Sequence, residues 1–388
     1  MQQSTVRRFF AMGVALILIS AFFALHPQGG QFLGARNLSN LSIELSITAV
    51  LALGMLLVLL PGLIDLSVGS GVGLLGGVAA VLIMQPANLI PGAGAGWSAP
   101  AALAVTLAVA VLVWTGMGAL IMRFRIPAFI ITLGGLLVFK GLHWAVIRNA
   151  TVPVVPGGQE NAFSLLTTYY LPPSAGFAAC GIVALALAWS RWRQRAQRRQ
   201  HGLPVPSATQ DFLQVFVSVQ VLVLCVLVMN QHKGLPFPLL VLGLTALLVQ
   251  VLTRHTPFGR HLYAIGGNEE AARLSGINVN GRAILAFAVL GGIVALTGFM
   301  QTAYGGYSTT TVGNLMELDA IAACVIGGTS LKGGRGSVLG VLFGALIMAV
   351  LLNGMTLLAV SPEMKLIARG IVLVLAVWMD VVFAPRSA

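Results

Sequence analysis

The stretch AVLALGMLLVLLPGLIDLSVGSGVGLLGGVAAVLIM (49–84) decides the fold, because two apolar runs flank a short polar interruption. With their neighbours the runs cover 44–60 and 68–84, and a membrane-spanning helix needs about 17 to 25 mainly apolar residues. Between them, Pro61 lacks a backbone N–H donor and Gly62 tolerates unusual backbone conformations, so the helix should break there. The stretch predicts two membrane helices joined by a break.

The polar side chains at this break are candidates for two roles. Asp65 or Ser67 can cap the helix that restarts, because its first N–H groups have no helical partner. Ionisable groups at membrane depth are also costly, so Asp65, together with Ser67 and Ser70, is a candidate for lining a translocation path. The residues alone leave both roles open.

A second interrupted stretch, MELDAIAACVIGGTSLKGGRGSVLG (316–340), has the same character. Glu317 and Asp319 open an apolar run, which Gly327 and Gly328 then interrupt. Broken helices whose ends face a central cavity are how transporters expose backbone polar groups to a solute. Glu317 and Asp319 are therefore further candidates for the translocation path.

The two stretches share the pattern GSxxGxxxG. Small residues at this spacing let helices approach closely in lipid, so close packing is the expected role. A distant internal duplication is the alternative explanation. The pattern comprises Gly69, Ser70, Gly73 and Gly77 in the first stretch and Gly336, Ser337, Gly340 and Gly344 in the second.

Composition places the whole chain in lipid. Hydrophobic residues make up 57% of the 388 residues and charged residues only 8%, whereas a soluble domain has roughly 25% charged residues. The net charge of +12 could suggest nucleic acid, but that function needs a basic face with interleaved aromatic residues. Here the basic residues lie between apolar runs, so no nucleic-acid partner is expected.

Twelve apolar runs predict an all-α polytopic membrane protein with about 10–12 transmembrane helices, some of them broken or re-entrant. We expect residues 1–388 to form a single transmembrane domain. His26, Pro27 and Gln28 follow the first run in place of a small-x-small cleavage site, so a retained first span is expected. The runs are 9–25, 44–60, 68–84, 100–122, 127–147, 175–189, 211–230, 236–253, 283–303, 317–331, 337–353 and 365–383.

The basic residues predict the orientation, because Lys and Arg are retained on the cytoplasmic side. With both termini cytoplasmic, 16 of the 22 basic residues lie inside. The six outside are Arg36, Lys140, Arg148, Lys233, Lys365 and Arg369. Those inside are Arg7, Arg8, Arg123, Arg125, Arg191, Arg193, Arg195, Arg198, Arg199, Arg254, Arg260, Arg273, Arg282, Lys332, Arg335 and Arg386.

Two cytoplasmic segments follow from this orientation. A basic loop at 190–210 contains the run RWRQRAQRRQHG (191–202), which we interpret as a topological anchor that also attracts anionic membrane lipid. A polar segment at 254–282 contains GGNEEAARLSGINV (266–279). The sequence offers no support for an RNA site in either segment.

The polar segment predicts a short docking helix. Asn268 is a good N-cap, Glu269 and Glu270 lie at the positive end of the helix dipole, and Gly276 can end the helix. A helix of about two turns is not stable alone. Amphipathic helices that lie on a membrane are rich in Lys and Arg, so docking to a cytoplasmic partner is the favoured interpretation.

Catalytic and metal-binding patterns are not found. The cysteines Cys180, Cys225 and Cys324 are far apart within apolar runs, and the six histidines are scattered, so no metal site is expected. No serine lies in a G-x-S-x-G elbow, and GGRG lacks the GK[ST] ending of a phosphate loop. We therefore expect that the chain is not an enzyme.

Three motifs give the sequence a family resemblance: FGRHLYAIGGNEEAARLSGINV (258–279), IDLSVGSGVGLLGGVAA (64–80) and ELDAIAACVIGGTSLKGGRGSV (317–338). They resemble the permease subunits of bacterial sugar ABC importers, a family that includes ribose, galactoside and autoinducer permeases. LGARNLSNL (33–41), IPAFIITLGGLLVFKG (126–141), the arginine-rich insert before LPVPS (203–207) and VLAVWMD (374–380) are similar to the xylose permeases.

The resemblance implies a passive permease of the bacterial inner membrane that carries a monosaccharide, with D-xylose expected. Two permease copies would form the path, a periplasmic sugar-binding protein would deliver the sugar, and a separate ABC ATPase subunit would bind ATP and Mg; no cofactor is expected on this chain. It also implies a coupling helix that sits in a cleft of the ATPase. Its residues are Asn268, Glu269, Glu270, Ala271, Ala272, Arg273, Leu274, Ser275 and Gly276.

Two alternatives remain. A sugar–proton symporter could use Asp65, Glu317 and Asp319 as a proton relay and would need no ATPase. The same ABC machine could also carry ribose or another small sugar. Among aromatic residues that could stack on a sugar ring, Phe129, Trp144, Tyr304 and Tyr307 are candidates, although interfacial anchoring is the commoner role.

Overall fold

The computed structural model describes residues 2–26, 30–84, 96–205 and 207–383. Pro27 and Gln28, which were considered for a cleavage site, and Arg386, which was counted with the cytoplasmic cations, lie outside these residues. The described chain is almost entirely helical, and its strands are two residues long.

The helices, numbered in chain order, are α1 (Gln2–Leu25), α2 (Ala35–Leu59), α3 (Val68–Met84), α4 (Ala99–Phe124), α5 (Ala128–Ile147), α6 (Leu165–Thr168), α7 (Pro173–Gln200), α8 (Ala208–Asn230), α9 (Phe237–His255), α10 (Pro257–Gly267), α11 (Glu269–Leu274), α12 (Val279–Gly305), α13 (Met316–Ile326), α14 (Val338–Leu357) and α15 (Pro362–Phe383). A 3₁₀ turn spans Pro156–Gly158. β1 (Val152–Pro153) pairs antiparallel with β4 (Tyr307–Ser308), and β2 (Tyr170–Leu171) pairs with β3 (Leu235–Pro236).

The predicted all-α polytopic architecture is confirmed. Eight helices of the described chain are long and apolar enough to cross a membrane, namely α2, α4, α5, α7, α8, α9, α12 and α14. Two shorter apolar helices, Phe9–Leu25 within α1 and α3, add to them. Each of the twelve predicted runs coincides with a helix.

The tenth predicted run, 317–331, is the one that differs most from its expected length. α13 has only 11 residues, or about 16 Å at 1.5 Å per residue, which is roughly half of a 30 Å hydrocarbon core. Gly327 ends the helix, and Gly328 follows in the left-handed region at φ +92°. α13 is therefore a half-helix rather than a span.

The basic segment predicted as a loop at 190–210 is mostly helical. α7 continues to Gln200 and α8 begins at Ala208, because Arg, Gln and Ala are all good helix formers. Arg195 Nη1 lies 2.9 Å from Asp211 Oδ2 and joins the two helices at this end. α7 thus extends beyond the apolar part of its sequence as a basic helix.

Burial separates central from peripheral helices. The apolar window of α2 is 83% buried, and those of α12 and α14 are 67% buried, whereas those of α7 and α8 are only 11% buried. A helix that is apolar on all sides belongs in a protein core or in lipid. α2, α12 and α14 form the centre of the molecule, and the α7–α8 hairpin exposes its apolar side chains to the membrane.

Candidate functional site

The break after α2 lies where it was predicted, and Asp65 is the centre of its hydrogen bonds. Asp65 Oδ1 accepts from the Ser67 backbone N–H at 2.7 Å and from Ser67 Oγ at 2.6 Å, and Oδ2 accepts from Trp114 Nε1 at 2.9 Å. The Asp65 side chain is fully buried. These bonds hold the turn before α3 in shape and fasten it to α4.

The first turn of α3 lies against the start of α13. A Cβ atom built on Gly69 would be 1.9 Å from Glu317 Oε2, and one on Gly73 would be 2.4 Å from the Val312 carbonyl oxygen. Only glycine at these positions allows the segment before α13 to run along α3 so closely. The N-terminal ends of two helices, each with a partial positive charge, therefore meet beside the Glu317 carboxylate.

The two acidic residues of α13 have cationic neighbours at membrane depth. Asp319 Oδ1 lies 3.1 Å from Arg369 Nε of α15, close enough for an ion pair although not aligned as a hydrogen bond. Glu317 interacts electrostatically with Lys140 of α5 and with Arg369. Lys140 and Arg369 belong to the six basic residues that the orientation left outside. Their presence within apolar helices is explained by these acidic partners.

The five predicted path residues fall into two groups. Asp65, Ser67, Ser70 and Glu317 gather around the first turn of α3, whereas Asp319 faces α15. Ser70 is half-buried and its hydroxyl donates to the Ser67 carbonyl oxygen at 2.9 Å. Asp65 and Ser67 are satisfied by each other and by Trp114, which supports the capping role. Their part in transport stays a prediction.

Sequence reasoning missed a polar network at the other end of the central helices. Glu44 of α2 accepts from Tyr304 Oη at 3.2 Å and from Asn353 Nδ2 at 3.1 Å. Asn37 Nδ2 donates to Asn353 Oδ1 at 2.9 Å. The available signal was a lone ionisable residue within the predicted span 44–60, which is rare in membrane helices.

The aromatic candidates lie at opposite ends of the membrane helices. Tyr304 bonds to Glu44, Trp144 Nε1 donates to the Thr310 carbonyl oxygen at 3.3 Å, and Tyr307 pairs with Pro153 in the small sheet. Phe129 lies at the start of α5, whereas Trp144 lies near its end. These four side chains therefore do not form one stacking site.

The GSxxGxxxG pattern packs helices closely in both stretches. Cβ atoms built on Gly340 and Gly344 would be 2.0 Å from the Gly327 carbonyl oxygen and 1.9 Å from the Ala323 carbonyl oxygen, so α14 packs directly on α13. This confirms the packing prediction for α14. In α3, Gly73 and Gly77 pack against His143 of α5, and Gly73 also meets the Val312 carbonyl oxygen of the irregular segment before α13.

The polar segment forms two short helices, α10 and α11. Asn268 Oδ1 accepts from the Ala271 N–H at 2.9 Å, which confirms the predicted N-cap. Glu269 Oε1 and Arg273 Nη2 are 2.8 Å apart, one helical turn along α11. Gly276 adopts φ +80° and its N–H donates to the Arg273 carbonyl oxygen at 2.9 Å, so the helix ends as predicted.

One prediction about this helix needs correction. Ala272 was expected to enter a partner's groove, but it is buried against Ile265 and Val279 of its own chain. This inward face fastens α11 to α10 and α12. The exposed residues of this segment include Glu269, Glu270, Ala271, Arg273, Leu274 and Ser275, and Leu274 is 85% exposed.

An exposed leucine beside two carboxylates in an otherwise apolar chain suggests a docking surface. Comparison with known proteins identifies the family. A family model described as the permease component of the branched-chain amino acid transport system matches residues 37–377. The chain belongs to this permease family. The resemblance to permease subunits drawn from the motifs is thereby confirmed, and the chain is a multi-pass membrane protein.

Individual members of the permease family are similar over almost their full length. The xylose transport system permease protein XylH of Escherichia coli K12 is 40% identical over 97% of this chain and 93% of its own. XylH of Haemophilus influenzae is 40% identical over 96% and 95%. The ribose import permease protein RbsC of Escherichia coli K12 is 33% identical over 94% and 91%. No solved structure matches the chain.

Proposed function

We propose that the chain is the permease subunit of an ATP-driven ABC importer that moves a monosaccharide, D-xylose, across the bacterial inner membrane. The observation that carries this proposal is the 40% identity to xylose permeases along nearly the whole chain, against 33% to a ribose permease. The chain itself acts as a passive permease. ATP and Mg are bound and used by the ATPase subunit, and a periplasmic sugar-binding protein delivers the cargo.

The first turn of α3 and the start of α13 are the proposed polar step in the path. A sugar is uncharged, so its passage needs groups that exchange hydrogen bonds with hydroxyls. The half-buried Ser70 and the Glu317 carboxylate beside Gly69 offer such groups. Asp65 and Ser67 hold this turn in place, and Asp319 fastens α13 to α15.

A second copy of the permease completes the path in this proposal. Lys140 and Arg369 are half-buried within apolar helices, and charged groups at this depth face a water-filled cavity or another protein rather than lipid. Both side chains lie next to α13. We therefore place the partner copy against the surface that α5, α13 and α15 share. Lipid would surround the other peripheral helices.

The coupling segment Asn268–Gly276 is the proposed contact with the ATPase. Its outward face presents Glu269, Glu270 and Leu274 to a partner, while Ala272 holds it on the permease. This segment and both termini are then cytoplasmic. The basic end of α7 lies on the same side, where anionic lipid headgroups are attracted by arginines.

Reconstitution tests the proposal. The permease, its ATPase subunit and its sugar-binding protein are placed in proteoliposomes, and uptake of labelled D-xylose and D-ribose is measured with and without ATP. We expect ATP-dependent uptake of D-xylose only. ATP-dependent uptake of D-ribose alone would reassign the cargo. Uptake by the permease alone under a proton gradient would replace the importer with a symporter.

A further inference from the structure

Three separate backbone segments, one of which belongs to α10, meet at one place in the fold. They are the end of α2 at Leu60 and Gly62, the turn between α13 and α14 at Gly333 and Gly334, and α10 at Gly266; we call these five residues the glycine junction. The Gly334 N–H donates to the Leu60 carbonyl oxygen at 2.9 Å. The turn and α2 are thus bonded to each other where α10 touches both.

The glycine junction has no room for side chains. A Cβ atom built on Gly266 would lie 1.9 Å from the Leu60 carbonyl oxygen and 2.3 Å from the Gly334 nitrogen. A Cβ atom on Gly333 would lie 2.8 Å from Gly266 Cα and 2.8 Å from the Gly62 nitrogen. Backbone therefore packs directly on backbone, and no flexible side chain can absorb a displacement of α10.

Tyr263 adds a second tie between α10 and the turn. Its hydroxyl donates to the Gly336 carbonyl oxygen at 2.9 Å, immediately before the Ser337 that caps α14. Burial raises the pKa of Tyr263, so its hydroxyl keeps the donated proton at any physiological pH. The hydroxyl is therefore available as a donor under the conditions of transport.

The glycine junction connects the coupling segment with both helix breaks. Only Asn268 separates α10 from α11, and Ile265 of α10 packs on Ala272 of α11. On the other side, Leu60 leads into the break at Asp65, and the turn at 332–336 joins the half-helix α13 to α14. The glycine junction is therefore contiguous with the chain segments that lead to α3 on one side and to α13 on the other.

We propose that the glycine junction transmits movement of the coupling segment to the two helix breaks, with Gly266 and Tyr263 as positioning residues of the transport step. The inference rests on the proposed function. α9 and α12 are also joined to the segment, but both are long continuous helices. The broken elements touch α10, the helix that leads into the coupling segment, at the glycine junction, where a rigid displacement can change their geometry.

Gly266→Ala tests the proposal, with Gly267→Ala as the matched control. Both glycines lie in α10, and a Cβ atom on Gly267 meets nothing within 4 Å. The full complex in proteoliposomes is assayed for ATPase co-purification, ATP hydrolysis and D-xylose uptake. For Gly266→Ala we expect retained ATPase binding and hydrolysis with uptake about tenfold lower, since an overpacked contact shifts its neighbours. Gly267→Ala should behave like the unaltered permease.

Tyr263→Phe keeps the proposal testable if Gly266→Ala does not assemble. Loss of one hydroxyl preserves shape, so we expect an assembled complex that hydrolyses several times more ATP per sugar. An unchanged ATP-to-sugar ratio in Tyr263→Phe, or normal uptake by Gly266→Ala, would overturn the role of the glycine junction. Failure of the unaltered permease to bind any ATPase would instead refute the proposed function.

Discussion

At the scale of single residues, Asp65 shows how a charged group is accommodated in an apolar chain. A buried carboxylate needs several donors, and here Ser67 supplies two and Trp114 supplies one. Since both carboxylate oxygens are bonded within the fold, a structural role explains the residue without any contact to cargo. Glu317, by contrast, is buried beside Gly69 and its carboxylate has no such set of donors from neighbouring side chains among the described residues, so a role in the path stays a prediction.

Asp65→Asn separates these roles. An amide oxygen can still accept from Ser67, but its NH₂ group would face the donor Trp114 Nε1, so we expect a loss of about 1–3 kcal/mol in stability. Uptake per folded molecule should be retained. Thermal unfolding of the purified permease and uptake by the reconstituted complex measure the two quantities.

Trp114→Phe serves as the partner variant for this prediction. It removes the same hydrogen bond from the other side, so the double variant should be less destabilised than the sum of the single variants. Abolished uptake in Asp65→Asn with unchanged unfolding temperature would show that the charge itself acts in transport.

At the scale of elements, α11 and α13 show what sequence can and cannot predict. Both ends of α11 were predicted because the signals for them are local. The Asn268 side chain accepts a hydrogen bond from the Ala271 N–H, and Gly276 adopts the left-handed conformation. The length of α13 was not predicted correctly, because the apolar run continues past the glycines at which the helix ends. The ion pair of Asp319 with Arg369 joins residues fifty positions apart in sequence, so no local pattern predicts it.

The inward position of Ala272 was missed for a related reason. Small size suits both a partner's groove and a tight intramolecular contact, and only the packing of Ile265 and Val279 distinguishes the two. For the same reason the small residues of α3 indicated a close approach but not its partner. Sequence predicted where contacts are tight, while tertiary structure decided which segment makes them.

Glu269→Lys with Glu270→Lys tests the outward face of α11. Both side chains are exposed and the pair with Arg273 is a surface salt bridge worth about 0–1 kcal/mol. We therefore expect unchanged permease stability but loss of ATPase co-purification and of uptake. The matched control is Glu160→Lys with Glu363→Lys, which makes the same charge change at two exposed glutamates outside the coupling segment. Equal ATPase recovery from both double variants would contradict the coupling assignment.

At the scale of the whole molecule, the fold consists of a dense centre and a loosely attached hairpin. α2, α12 and α14 are buried by protein, whereas most of the surface of α7 and α8 is not covered by the rest of the chain. Two of the six basic residues that the predicted orientation leaves outside, Lys140 and Arg369, have acidic partners inside the fold, and the orientation itself stays a prediction. The places of the membrane helices followed from the apolar runs, whose length lipid enforces directly, whereas the short length of α13 did not.

Membrane sidedness is testable with single-cysteine variants. Proteins with Glu160→Cys or Glu363→Cys should react in whole cells with a membrane-impermeant maleimide, whereas Glu270→Cys should react only after the membrane is opened. All three side chains are exposed, so access depends on the side of the membrane. Labelling of Glu270→Cys in intact cells would reverse the orientation and place the coupling segment outside.

The weak attachment of the α7–α8 hairpin has a consequence for the choice of membrane. Its main contacts with the rest of the chain involve Cys180, Val226 and Met229, packed on Leu171 and Leu235 near the ends of both helices opposite the arginines. A helix that exceeds the local hydrocarbon thickness adapts by tilting, and this hairpin can tilt about that attachment while the centre stays in place. Bilayers of different thickness should therefore change the hairpin's angle before they change the transport path.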